Sequence, residues 1–196
     1  MKVSIIKYNA GNIQSVLFAL ERIGINATVT DDDEILNTSD KVIFPGVGEA
    51  SSAMNYLKER NLDSVIKNLK QPVLGICLGM QLMCQHSEEG NTTCLGIFDT
   101  KVKMFSSNLT GIKVPQIGWN TIYDLKSDLY NNIKENEYMY FVHSYYVEAS
   151  QYSIAKANYG LEYCASLQKN NFYAAQFHPE KSGDAGQTIL ENFIKL

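Results

Sequence analysis

Val73-Leu74-Gly75-Ile76-Cys77-Leu78-Gly79 is the stretch on which the reading of this chain turns. Residues 73–77 are apolar or small, with no polar alternation, which marks a strand buried on both faces. Residues 78–86 read as a helix. A strand that breaks directly into a helix with a cysteine at the corner has the form of a nucleophile elbow, with Cys in place of the commoner Ser. Gly75 and Gly79 permit the sharp turn and close approach of neighbouring backbone. Cys77 would stand where the helix begins, and aligned peptide dipoles there favour a thiolate over a thiol. A cysteine buried at a strand end is also an ordinary core residue, so these residues alone leave both readings open.

Upstream of this corner the chain alternates. Residues 3–6, 27–30 and 42–44 are short apolar strands, while 13–23, 50–59 and 62–69 carry apolar residues at helical spacing. Strands alternating with helices predict an α/β fold, a mostly parallel central sheet flanked by helices. Downstream the pattern changes to strand-like segments at 102–105, 112–114, 138–147, 153–157, 164–168 and 172–177. The polar stretch 126–137 reads as helix and loop, and 186–196 as a closing helix. The second half is therefore β-rich.

With 196 residues, 45% hydrophobic and 19% charged, the chain is predicted to fold as a single domain, 1–196, around a sizeable core. A net charge of -4 gives no reason to expect nucleic acid or an anionic membrane as partner. No apolar run is long enough for a membrane span and no secretory leader is evident, which predicts a cytoplasmic protein. Cys77, Cys84, Cys94 and Cys164 are irregularly spaced and expected to be reduced. Without a C-x-x-C pair, no metal is expected.

A second cluster shifts the balance at Cys77. In Phe177-His178-Pro179-Glu180 the proline biases His178 towards extended backbone, and residues i and i+2 of an extended segment share a side. Glu180 can then orient the His178 imidazole as the third member of a triad does, in the chain order Cys77, His178, Glu180. His143 is the rival base, but no carboxylate stands two residues on. An oxyanion would need backbone donors. The amide of Leu78 supplies one, and the glycine-bearing loop Pro45-Gly46-Val47-Gly48, at the end of a neighbouring strand, can supply another.

Together with Phe141-Val142-His143-Ser144-Tyr145 and Gly118-Trp119-Asn120, these motifs resemble a class I, triad-type glutamine amidotransferase over essentially the whole chain. Within that class they are most similar to glutaminase subunits of imidazole glycerol phosphate synthase. The resemblance implies a flavodoxin-like amidotransferase fold without cofactor or metal. It implies that Cys77 attacks the side-chain amide of L-glutamine, that His178 shuttles the proton and that Glu180 orients it. Gly48 and Leu78 would form the oxyanion hole, with a flip of Val47 required to present its amide. Gly46, Val47, Gln81, Glu89, Ser144 and Tyr145 would bind glutamine.

The ammonia would pass to a (βα)8 cyclase subunit in a heterodimer, making imidazole glycerol phosphate and aminoimidazole carboxamide ribonucleotide. Asn12, Trp119, Asn120, Tyr140 and Lys181 would face that partner. Pro115-Gln116-Ile117 departs from the family's usual Pro-His-Met and is expected on the same face. A glutaminase serving another synthase, such as one making an amidino sugar, stays open as an alternative. So do a cysteine hydrolase and a noncatalytic flavodoxin-like binding module.

Overall fold

The structure, a computed structural model, describes residues 1–9, 11–106 and 111–196; Ala10, in the turn read between the first strand and helix, lies outside them. In chain order the elements are β1 (Val3–Ile6), α1 (Ile13–Arg22), β2 (Ala27–Thr30), α2 (Asp33–Asn37), β3 (Lys41–Gly46), α3 (Ala50–Glu59), α4 (Leu62–Asn68), β4 (Val73–Cys77) and α5 (Leu78–Met83). There follow β5 (His86–Ser87), β6 (Thr92–Thr93), β7 (Lys101–Met104), β8 (Gln116–Ile122), β9 (Glu137–His143), β10 (Tyr145–Val147), β11 (Ser153–Asn158), β12 (Glu162–Lys169), β13 (Phe172–Ala175) and α6 (Gly183–Lys195).

The main sheet runs β2-β1-β3-β4-β13-β12-β10-β7-β5-β6, with β11 on β12. The β2 to β13 portion is parallel throughout. Parallel strands covered on both faces have no solvent side, and every residue of β1, β3 and β4 is buried. Alternate side chains feed two cores: Val42, Phe44 and Val73 pack with α3 and α4, while Ile43, Leu74 and Ile76 pack with α1 and α6. The short α2 starts at Asp32, whose carboxylate accepts from the Ile35 N–H at 2.9 Å. Beyond β13 the sheet turns antiparallel at β12 and β10.

Register places the chemistry. In the parallel ladder Gly46 lies opposite Cys77, and Ala175 lies opposite Ile76. The segments that leave β3 and β13 therefore emerge on either side of the cysteine. The helix after Cys77 can sit this close because its second residue is glycine: a Cβ on Gly79 would lie 1.8 Å from the Phe44 carbonyl oxygen.

Four local expectations differ from the structure. Residues 112–114 form no strand; the strand is Gln116–Ile122, held by antiparallel pairing to β9. The segment 138–147 is two strands in different sheets, parted at Ser144. The helix after Cys77 ends at Met83, and His86 enters β5, where it pairs with Thr93 and Lys101. The last strand stops at Ala175, before the His178 cluster. Among the described residues, no helix is long and apolar enough to cross a membrane.

Candidate active site

Cys77 closes β4 with φ +53° and ψ −107°, a conformation that non-glycine residues adopt only when the surrounding fold enforces it. Strand pairing on both sides of β4 and the packing of α5 supply that constraint. The side chain is 6% exposed and opens into a cavity of about 280 Å³ bordered by Val47, Gly48, Leu78, Gln81, Glu89, Ser144 and Tyr145. Drug-sized ligands occupy roughly 300–1,000 Å³, so this space suits a small amino acid.

His178 and Glu180 lie behind the sulfur, almost sealed from solvent at 1% and 7% exposure. His178 has extended backbone, and Pro179–Lys181 then winds into a 3-10 turn. Glu180 thus reaches the ring through this turn rather than along a strand. Nδ1 of His178 meets Oε1 of Glu180 at 2.8 Å. A carboxylate only accepts, so Nδ1 carries the proton and Nε2 is left for other work. Nε2 and Glu180 Oε2 are buried without a hydrogen bond of standard geometry. Burial alone would lower the ring's affinity for a proton; the Cys77 sulfur, the strongest opposing influence, and Glu180 together push its pKa up to about 10.

His143 has the opposite surroundings. Its Nδ1 lies 2.7 Å from the Tyr145 carbonyl and its Nε2 3.4 Å from the Tyr163 hydroxyl. Burial dominates, and with only partial support from the Tyr145 carbonyl the pKa falls to about 4. His143 is thus neutral near pH 7, with no carboxylate to stabilise a positive charge.

The expected glutamine-binding residues divide by role. Gln81 is 4% exposed, and its Nε2 donates to the Tyr145 carbonyl at 3.0 Å and to Gln176 Oε1 at 2.9 Å. With both N–H bonds committed, it has only an acceptor left, suited to an ammonium group. Glu89 is half-buried and accepts from the Ala50 N–H at 2.8 Å. Burial raises its pKa, the Ala50 N–H opposes this and nearby Glu49 adds to it; no basic side chain is among these influences, so an arriving cation would favour the ionised form of Glu89. Gly46 does not border the cavity; a Cβ there would lie 2.1 Å from the Tyr8 hydroxyl oxygen. Val47 turns its carbonyl to the Gly11 N–H at 3.2 Å, and Gly48 follows at φ +140°, a glycine conformation that aims this loop at Cys77.

Trp119 and Lys181 are exposed, with Asn120 and Tyr140 partly so. Asn12 belongs to the site as well, because its Nδ2 donates to Glu180 Oε1 at 2.5 Å. Gln116 is 2% exposed and accepts from the Tyr163 hydroxyl at 3.0 Å. Of this departure from the family pattern, Gln116 therefore points inward, while Ile117 is 63% exposed on the β8 surface. The sequence reading also passed over Gln176, which is wholly buried and donates to Cys77 Sγ at 3.7 Å. Its signal was there, a polar residue between apolar neighbours directly before Phe177-His178. Among the described residues no three His, Cys, Asp or Glu side chains gather as metal ligands would.

An elbow cysteine, a carboxylate-backed histidine and a glycine loop beside them on a parallel sheet fit a triad-type amidotransferase, and comparison with known proteins decides for that class. The class I glutamine amidotransferase model matches residues 4–196, and the chain belongs to that family. Its curated relatives place it among the HisH subunits of that class. "Imidazole glycerol phosphate synthase subunit HisH" of Bacteroides fragilis is 60% identical over 196 residues, covering all of both chains. The protein of the same name from Haemophilus influenzae is 45% identical over all of this chain and 98% of its own. Among solved structures, a glutamine amidotransferase matches with TM-score 0.74 at 16% identity, over 98% of this chain and 99% of that one. PurLQS from Thermotoga maritima matches at 0.71 and 15%, over 99% and 97%. At such identities these two structures speak for the fold.

Proposed function

We propose that Cys77, His178 and Glu180 carry out the glutaminase reaction of this family, and that the ammonia released passes directly to a synthase partner. Free L-glutamine binds with its ammonium against Gln81 and Glu89 and its carboxylate against the backbone of Ser144 and Tyr145. His178 Nε2 holds the proton given up by the thiol, its affinity for it raised by the Cys77 sulfur and Glu180, and Sγ attacks the carboxamide carbon as the thiolate. The oxyanion forms against the amides of Leu78 and Gly48, once the Val47 peptide turns its N–H inward. Collapse of that intermediate breaks the C–N bond, and His178 returns the proton to the departing nitrogen, which leaves as ammonia. Water, deprotonated by the same ring, then cleaves the thioester to glutamate and restores the thiol.

The observation that carries this reading is the 2.8 Å contact between His178 Nδ1 and Glu180 Oε1, sealed behind Cys77. It fixes the tautomer that general-base catalysis at Nε2 requires.

Ammonia released into water would be protonated and lost as a nucleophile, so the acceptor must dock onto this chain. The hairpin of β8 and β9 offers the surface. Ile117, Trp119 and Tyr138 stand on it 63%, 56% and 58% exposed, the kind of aromatic and aliphatic anchors that dominate interfaces. Lys181 lies close by on the turn that follows His178. The same hairpin touches the site from within: the Tyr140 carbonyl accepts from the His178 N–H at 2.9 Å, and the Val142 carbonyl lies 3.7 Å from Cys77 Sγ. The partner is a (βα)8 cyclase that consumes the ammonia in forming imidazole glycerol phosphate, and the pair works in the cytoplasm, where the four free cysteines stay reduced.

The test is glutamate release by this chain with and without the cyclase and its nucleotide ligand. Wild type should be stimulated strongly by the complete complex, and Cys77→Ala should be silent in it. Full release by Cys77→Ala would end the mechanism; no stimulation of wild type by this cyclase would end only the choice of partner. Trp119→Ala should weaken complex formation by about tenfold or more and leave the free chain's melting temperature unchanged.

A further inference from the structure

Side-chain amides are symmetrical in outline, and which end is nitrogen must be argued from partners. Here the argument has a fixed starting point. The Tyr145 carbonyl can only accept, so the end of Gln81 that meets it at 3.0 Å is Nε2. The second proton of that nitrogen points to Gln176 at 2.9 Å, and the facing atom of Gln176 must be its oxygen, since two NH2 groups would otherwise confront each other. Gln176 is 0% exposed. Its NH2 is then compelled to face Cys77 Sγ, at 3.7 Å. One backbone carbonyl on β10 thereby dictates, through two amides, that the nucleophile receives an N–H.

The fold makes this placement unavoidable. Ala175 pairs with Ile76 in the parallel ladder, so the next residues of the two strands, Gln176 and Cys77, lie side by side. Two contacts on the sulfur oppose each other. The Val142 carbonyl accepts the S–H at 3.7 Å and favours the thiol; a donated N–H favours the anion.

We infer that Gln176 is a catalytic residue of the glutaminase reaction: its Nε2–H stabilises the Cys77 thiolate, and Gln81 holds it in that orientation while offering its own remaining oxygen to the substrate ammonium. The inference rests on the reading of Cys77 as nucleophile. The other titratable groups around the sulfur are His178 with Glu180 behind it, His143 across the cavity and Tyr8 from the β1 side.

Two measurements test it: the pH dependence of Cys77 alkylation by iodoacetamide in the chain alone, followed by mass spectrometry, and steady-state glutamate release in the complex with the cyclase. Gln176→Glu keeps an oxygen for Gln81 to donate to and replaces the sulfur-facing NH2 by a carboxylate oxygen. The alkylation midpoint should rise by at least about one pH unit and kcat fall at least about tenfold, as loss of a hydrogen bond to a charged group implies, with KM changed by less than about threefold. Gln81→Leu touches no atom of Cys77, yet it frees the Gln176 amide to rotate and should also raise the midpoint; this variant decides the matter if Gln176→Glu does not fold. An unchanged midpoint in whichever of these folds would overturn the proposal. Glutamate release that survives in Cys77→Ala would instead remove the reading beneath it, and the two failures are thus told apart.

Discussion

Two corners of the molecule flank Cys77, each built around a buried histidine, and they hold the same side chain in opposite states. In the His178 corner a carboxylate and a sulfur sit against the ring and raise its pKa to about 10. In the His143 corner a backbone carbonyl and a tyrosine hydroxyl surround it, burial dominates, and the pKa falls to about 4. Burial is nearly equal, 1% against 5% exposed, so it cannot be what separates them. The difference is the ionic company each ring keeps. One corner is built to accept a proton in the course of reaction, the other to refuse one.

The comparison can be broken most decisively at the base itself. His178→Ala should lower glutamate release in the complex by about 10³-fold, within the range that general-base catalysis contributes, whereas His143→Gln should cost less than about fivefold. Comparable losses in both variants would mean that the roles are shared. Next in size is Glu180→Ala, expected to lose about 10²-fold because it orients and stabilises rather than transfers.

The His143 corner makes its own prediction in stability. A base whose pKa is lowered on folding contributes stability that is present above its unfolded value of about 6.5 and lost as pH falls towards 4. Denaturant titrations of wild type at pH 7 and pH 4 should therefore differ by about 3 kcal/mol more than those of His143→Gln. An equal pH dependence in both would remove the low pKa. The smallest effect is expected at Asn12→Ala, which takes one donor from Glu180 Oε1 and leaves His178 in place. A severalfold fall in kcat with little change in KM would sharpen the picture of a carboxylate held from two sides.

These corners also show what a sequence can and cannot reveal. Cys77 and the His178–Glu180 pair were legible because each is written in consecutive residues: a buried strand broken by glycines, and a histidine, proline and carboxylate in a row. The alternation of strand and helix up to residue 86 carried the parallel sheet for the same reason. Asn12 was not legible as a partner of Glu180, since 168 residues separate them and only the fold joins them. Strand β8 was missed because two of its three large hydrophobic residues, Ile117 and Trp119, face outward while Ile122 is buried, and its pairing with β9 supplies what local propensity does not. The five-residue helix α2 is too short for a periodicity to show, and it depends on the Asp32 cap. Gln116, after a proline and before an isoleucine that faces outward, gave no hint of facing the interior, whereas Gln176 was marked by its apolar neighbours; in the fold both are satisfied by tertiary partners.

The committed orientation of Gln81 also bears on the safety of a glutaminase among other proteins. Having given away both its hydrogens, this amide greets newcomers with a lone pair, and Glu89 adds negative charge beside it. A glutamine residue within a polypeptide has no free ammonium with which to answer; it presents a neutral peptide nitrogen burdened with neighbouring chain. If Gln81 meets the substrate ammonium as proposed above, carboxamides within polypeptides, which have the same chemistry, are excluded by the polarity of this end of the cavity.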